Sequence, residues 1–113
     1  MSMVTNYILT CGPWEDDEGR DSDDCPAVNW INKQLRTGLG IGCAGEFARV
    51  DQHAGGGKAM EHGVFLCAMN YGRPMDIVPV IERAPWRRPE GVRLFVCEQE
   101  DEMFEPCLLK IAP

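Results

Sequence analysis

The chain has 113 residues, which is enough for one hydrophobic core and too few for two, so we expect a single compact domain over residues 1–113. Hydrophobic residues make up 44% and charged residues 26%, and this balance excludes a disordered chain or a coiled coil. The net charge of −7 disfavours direct nucleic-acid binding, because affinity for phosphates comes from lysine and arginine. No window is apolar enough for a membrane span and the first residues lack the pattern of a signal peptide, so we expect no membrane association and a cytoplasmic location.

Residues 4–11, VTNYILTC, predict a first strand, because they are apolar and β-rich and a Gly-Pro pair follows them. Residues 15–24 then hold seven carboxylates and a single arginine. Like charges keep such a segment solvated, so we expect a mobile acidic loop at about residues 13–24, in which only Trp14 could be buried.

A helix start follows the acidic loop at Asp24, Cys25 and Pro26, where an N-cap residue precedes a proline in the first turn. The predicted core face of this helix consists of Val28, Ile31 and Leu35. Gly38 supplies the left-handed residue that commonly ends a helix. Trp30 lies off the core face, so its side chain must pack elsewhere or be exposed.

GLGIGCAG, residues 38–45, contains the GxGxxG pattern of dinucleotide-binding proteins. In that motif a strand enters the glycine turn and a helix leaves it, so that backbone N–H groups point at the pyrophosphate. Here the predicted helix enters and a predicted strand leaves, and the glycines therefore indicate a connector. GGGK at residues 55–58 lacks the further glycine and the serine or threonine of a Walker motif. We therefore expect no nucleotide and no other cofactor.

Strands are predicted after the helix at residues 46–53, 62–70, 75–82, 91–98 and 104–111. Pro79 moves the third of them toward a sheet edge or a bulge. Together with the first strand and the helix they give the order β-α-β-β-β-β-β. The predicted fold class is α+β, with one N-terminal helix packed on a mostly antiparallel, curled sheet of about five or six strands.

The first two of these strands flank a glycine-rich loop and predict a long-looped hairpin. The expected register pairs Ala48 with Ala68, Val50 with Leu66 and Gln52 with Val64. A slip of one residue sets Arg49 against Leu66 and mixes charge into both faces. The expected register leaves both faces of the hairpin partly apolar, so we expect the helix to cover one face and a curled sheet or a second subunit to cover the other.

Six cysteines are present, and three of them lie in apolar runs where a thiol packs as a small hydrophobe: Cys67, Cys97 and Cys107. We expect reduced and buried thiols, with disulfides and with metal or redox chemistry as alternatives. Cys25, at the predicted helix N-terminus, is the best-placed candidate for a reactive thiolate, although Asp23 and Asp24 favour its neutral form.

A weak candidate metal site lies around the hairpin loop and consists of Asp51, His53 and His62. Two histidines and a carboxylate can hold a metal ion with an open position. The expected register directs the two histidines to opposite faces, so we expect solvated histidines and no metal. The acidic loop does not match a calcium-binding loop either, because counting back from Gly19 places Trp14 at the first ligand position.

The binding residues that we predict are Trp86, Arg87 and Arg88, on a loop between two prolines, with Trp30 as a further aromatic residue of the same surface. Aromatic and guanidinium groups are enriched at protein interfaces, and flanking prolines reduce the ordering entropy lost on binding. In the alternative arrangement Trp86 folds back onto the sheet, and the arginines pair with the acidic turn at residues 100–102.

We therefore expect a small non-enzymatic module for protein interaction or ligand binding, which binds a protein partner or associates with itself as a homodimer. The motivation is the absence of a recognisable catalytic constellation, together with charge that is separated along the chain. Acidic runs lie at residues 15–24 and 98–105, and a basic patch consists of Arg83, Arg87, Arg88 and Arg93. Two alternatives stay open. One is a small-molecule receptor or small enzyme that holds an apolar ligand between helix and sheet. The other is an acidic mimic of nucleic acid that inhibits a basic partner.

Overall fold

The computed structural model describes residues 4–17, 24–37, 45–58, 60–70 and 73–111. In chain order its strands and helices are β1 Val4–Cys11, α1 Pro26–Thr37, β2 Ala48–Arg49, β3 Gly63–Asn70, α2 Pro74–Arg83, β4 Arg93–Glu98 and β5 Glu105–Cys107. The strands form one five-stranded antiparallel sheet in the order β2-β3-β1-β4-β5, which does not close into a barrel. The predicted α+β class is confirmed.

Strand β1 is the centre of the sheet and has the bounds that the sequence predicts. It pairs with β3 from Val4 opposite Asn70 to Cys11 opposite Gly63, and with β4 on its other side. Successive residues of a strand point to opposite faces, and every second residue of β1 is buried: Thr5, Tyr7, Leu9 and Cys11. This alternation defines an inner face, covered by the helices, and an outer face.

Helix α1 is confirmed, and the predicted core residues Val28, Ile31 and Leu35 are all buried. Trp30 lies off this face, as predicted, and packs partly buried against the edge of the core. Gly38 and most of the GxGxxG segment lie outside the described residues. From Gly45 the described chain leads without a helix into the short strand β2.

The predicted register of the hairpin is wrong. The observed pairing of β2 with β3 is shifted from it by two residues. Ala48 lies opposite Leu66, and Arg49 opposite Phe65. A tertiary contact holds the residue before β2, because the side-chain amide of Asn32 in α1 accepts the N–H of Phe47 at 2.8 Å and donates to its carbonyl at 3.1 Å. A shift of two residues keeps each side chain on its expected face.

Strand β2 is also much shorter than predicted for residues 46–53, since it has only two residues. The N–H of Val64 in β3 binds the carboxylate of Asp51 at 3.1 Å instead of a backbone carbonyl. Asp51 then begins a short 3-10 turn, Asp51–His53. The carboxylate therefore replaces the strand partner and ends the ladder.

The strand predicted at residues 75–82 is wrong, because this segment is helix α2. Its buried residues Ile77, Val80 and Ile81 have helical spacing, whereas Met75 is 70% exposed. In the sequence, Pro79 favoured a strand over a helix, since proline is usually excluded from the interior of a helix. Here the N–H that Pro79 lacks would have bound the carbonyl of Met75, in the first turn and beside an exposed side chain.

The core lies between the two helices and the inner face of the sheet. It contains five aliphatic or thioether side chains that are fully shielded from solvent: Leu9, Ile31, Met69, Ile77 and Ile81. Across the described ranges, every buried side-chain nitrogen and oxygen has a hydrogen-bond partner. Strand β4 confirms the prediction for residues 91–98, and β5 is a three-residue remnant of the strand predicted at 104–111. Neither α1 nor α2, the helices of the described chain, could span a bilayer.

We predict that Asn32→Ala lowers the free energy of unfolding by about 1–3 kcal/mol, because it leaves the N–H and carbonyl of Phe47 without their partners. Urea denaturation measures the change. Asn29→Ala is the matched control, since Asn29 lies on the same helix and its amide contacts only the exposed Asp24 among described side chains. The control should change stability by less than about 0.5 kcal/mol. Equal losses in the two variants would contradict the role of Asn32.

Candidate interaction surface

The outer face of the sheet carries an apolar row that crosses all five strands. The row consists of Ala48, Leu66, Ile8, Phe95 and Pro106, each opposite the next. Because Tyr7 and Leu9 point to the core, Ile8 and its row neighbours point away from both helices. Leu66 is 42% exposed. The sheet therefore presents an uncharged apolar surface on the side opposite α1 and α2.

A groove of about 370 Å³ lies on this face, and Phe104 forms one wall. Its other lining residues come from β1 and β3: Asn6, Tyr7, Ile8, Leu66, Cys67 and Ala68. Phe104 is itself 42% exposed, and Met103 beside it is also exposed. We call the apolar row and this groove together the outer surface.

The turn between β4 and β5 borders the outer surface with negative charge. Residues 98–105, EQEDEMFE, include five carboxylates and no lysine or arginine. All five acidic residues are exposed, and none of them forms an ion pair with a cation in the described ranges. Asp101 accepts the N–H of Glu98 at 2.9 Å, which closes the turn. We call residues 98–105 the acidic turn.

The structure places Trp86 in the core, where 8% of the residue is exposed. Its indole Nε1 donates to the carbonyl of Ile81 in α2 at 2.7 Å, so the side chain folds back into the core and is bonded there to a helix. Trp30, on α1, is likewise packed partly against the core. Neither tryptophan is therefore the fully exposed aromatic group that the sequence suggested.

Arg87 and Arg88 are exposed, and they gather around Trp14. The guanidinium of Arg88 lies 5.0 Å from the centre of the Trp14 ring. Arg87 donates to the carbonyls of Trp14 and Asp16 and pairs with Asp17. The alternative in which the arginines pair with the acidic turn is therefore wrong. A binding role for the two arginines stays a prediction.

Glu15 fixes this arginine segment to the loop after β1. It is 1% exposed, and its carboxylate accepts the backbone N–H groups of Arg87 at 2.8 Å and Arg88 at 2.9 Å. The expectation that only Trp14 could be buried in the acidic loop is wrong, because Trp14 is 37% exposed and Glu15 is buried. A carboxylate tolerates burial when hydrogen-bond donors replace its water. No sequence pattern pointed to this contact between distant segments.

The candidate metal residues have other partners or face solvent. Asp51 is buried and accepts the Nε–H of Arg49 at 2.9 Å, while Arg49 also makes a bidentate pair with Asp16. Both carboxylates hold the pKa of Arg49 above its usual value. His53 and His62 are exposed. Within the described ranges, no three side chains of the metal-binding types come together.

Cys11 and Cys25 form a buried pair of thiols that sequence reasoning missed. They come together because the end of β1 meets the start of α1, and they are hydrogen-bonded to each other. Donation from Cys11 lowers the pKa of Cys25, and the N–H of Val28 lowers it further by binding the sulfur as a helix cap. All described cysteines are free thiols, and Cys43 lies outside the described residues.

We predict that Cys11→Ala raises the pKa of Cys25, because the thiolate loses the donor that contributes most to its stabilisation. The measurement is the ultraviolet absorbance of thiolate against pH, taken as the difference from the Cys25→Ser variant of each protein. Cys97→Ala serves as control, because the bonds of Cys97 go to Glu98 and Asp101. An unchanged or lower midpoint in the Cys11 variant would show that the thiols are not coupled.

Comparison with known protein families, curated proteins and solved structures gives no match for this chain. Its function is therefore inferred from its own surface and chemistry.

Proposed function

We propose that this protein is a non-enzymatic protein-interaction module that binds a partner through the outer surface. The observation that carries the proposal is the uncharged row across five strands, with the groove under Phe104 beside it. Soluble domains rarely leave a contiguous apolar area uncovered unless something binds there. The helices of the described chain both pack on the opposite face.

Covering this surface releases water from apolar area, which is the main favourable term in protein association. Leu66 and Phe104 are each 42% exposed. Burying the remainder of either side chain contributes roughly 1 kcal/mol, given about 1.5–3 kcal/mol for a whole side chain. Several such contacts along the row supply useful affinity for a partner of matching shape.

The packing of the core favours this proposal over a small ligand held between helix and sheet. Leu9, Met69 and Ile77 fill that space and are fully shielded from solvent. The groove under Phe104 lies on the other side of the sheet and is bounded by partly exposed side chains, as suits a protein segment. The nucleic-acid-mimic alternative loses support near the first loop, because Asp16 and Asp17 are paired with arginines of the same chain.

We predict that Leu66→Asp abolishes partner binding, because a buried unpaired carboxylate within the row costs several kcal/mol. Sedimentation over a wide range of concentration measures self-association, and cross-linking followed by mass spectrometry measures capture of other proteins. Met75→Asp is the matched control: it places the same charge at a side chain that is 70% exposed on α2. The control should retain the oligomeric state and the partners of the natural chain.

Leu66→Thr provides a second test that does not depend on a charged residue within a strand. Threonine keeps a high strand propensity, so folding should be maintained while apolar area is lost. Denaturation curves verify folding for each variant. If both Leu66 variants are folded and bind the same partners as the natural chain, the outer surface is not the interaction site.

A further inference from the structure

We infer that the partner bound at the outer surface is an amphipathic helical segment whose apolar stripe fills the groove and whose lysine or arginine residues face the acidic turn. This inference rests on the proposed function and adds the chemistry of the partner. It follows from the juxtaposition of an uncharged apolar groove with a bordering turn that carries three exposed carboxylates between β4 and β5: Glu100, Asp101 and Glu102.

The groove wall and the charges belong to the same short segment of chain. Phe104 lines the groove, and the acidic turn that contains it begins with Glu98. Glu98 directly follows Cys97, which lies opposite Asn6, another groove residue. The side-chain amide of Asn6 donates to the carbonyl of Cys97 at 3.2 Å. The groove and the acidic turn are therefore adjacent along the chain and along the sheet.

These carboxylates are available to a partner. Two of them, Glu100 and Glu102, are exposed, and neither meets a cation in the described part of the chain. A unit charge pair at 4 Å gains only about 1 kcal/mol in water, so one contact adds little affinity. Several together attract a cationic partner and orient it, which raises the association rate.

The other end of the outer surface carries Arg93, opposite Thr10. Its guanidinium donates to the carbonyls of Glu90 and Val92. A single arginine therefore borders this face at the end of β1 that is farther from the acidic turn. The cationic part of the partner belongs at the end near the acidic turn.

Charge also argues against a second copy of this chain as the partner. Each copy carries a net charge of −7, so two copies repel at long range. Arg93 is a single cation at its end of the surface, against five carboxylates in the acidic turn. A cationic partner satisfies the acidic turn without this repulsion.

The dimensions favour a single helix. Four strand spacings of about 4.8 Å make the row roughly 19 Å wide, and a helix with its side chains is about 10 Å across. An amphipathic helix lies in an apolar groove through residues three and four positions apart. Met103, which is exposed beside Phe104, has the flexible side chain that adapts to such ligands.

The test uses three fluorescent peptides of about five helical turns. The first has a leucine stripe and a lysine face, the second has glutamate in place of lysine, and the third has the leucine and lysine residues in an order without a stripe. Fluorescence anisotropy measures their binding to the full chain at low and at high salt. We expect the lysine-stripe peptide to bind at least about tenfold more tightly than either of the others, with affinity that falls as salt is added.

Variants of the protein separate charge from apolar contact. The double variant Glu100→Gln with Glu102→Gln should bind the lysine-stripe peptide about fivefold more weakly, and the salt dependence of its affinity should be smaller. The control, Glu61→Gln with Glu90→Gln, removes the same charge outside the acidic turn and should keep the natural affinity. Leu66→Thr should weaken binding while leaving the salt dependence in place.

The outcomes distinguish this inference from the proposed function. Equal binding of the lysine and glutamate peptides, weakened in both cases by Leu66→Thr, would overturn the cationic partner and leave the interaction surface intact. Absence of binding by the lysine-stripe peptide would also overturn the inference, while the capture experiment above decides the function separately. Peptide binding that Leu66→Thr does not weaken would show non-specific attraction. In that case the groove would be excluded as the binding site in the proposed function and in this inference.

Discussion

Pairing of β1 on both of its sides is the constraint on which the rest of the structure depends. The strand pairs along the full length of β3 and of β4, so its alternation assigns a face to every residue of its neighbours. The side chains of Tyr7 and Leu9 point to the face that the helices cover, and Ile8 between them points to the opposite face. The core and the outer surface are thus two consequences of one alternating strand.

Polar contacts between distant segments hold the loops around this sheet. Glu15 binds the backbone at Arg87 and Arg88, and Arg49 lies between Asp16 and Asp51, with its guanidinium 5.3 Å from the Phe65 ring centre. Each carboxylate replaces its lost water with donors of fixed direction, so these groups specify where loops lie more than they add net stability. The acidic loop is therefore partly an internal structural element and not only a solvated charge run.

Sequence reasoning succeeded where a pattern repeats within one element. The alternation in β1 and the stripe of Val28, Ile31 and Leu35 in α1 are local properties, and both elements occur as predicted. It failed where contacts between elements matter: Asn32 of α1 binds the backbone of Phe47 beside β2, and no period in either strand encodes that contact. The segment around Pro79 carried a helical period that the proline rule outweighed.

The candidate site divides in the same way. The two-sided apolar character of the hairpin was visible in the sequence and led to the expectation that each face needs a cover. The position of Phe104 in the groove wall was not visible, because it depends on how the acidic turn folds over β1 and β3. The tryptophan singled out as an anchor, Trp86, is held in the core by a carbonyl that only the fold brings near.

The ends of the sheet limit how large an assembly this protein can form. The outermost strands, β2 and β5, have two and three residues, and Pro106 in β5 has no N–H to offer another chain. Strand addition at either edge is thereby disfavoured, and so is growth into fibrils through edge pairing. Partner binding is confined to one face of the sheet, and one bound partner can cover that face. The protein is therefore expected to form complexes of defined stoichiometry.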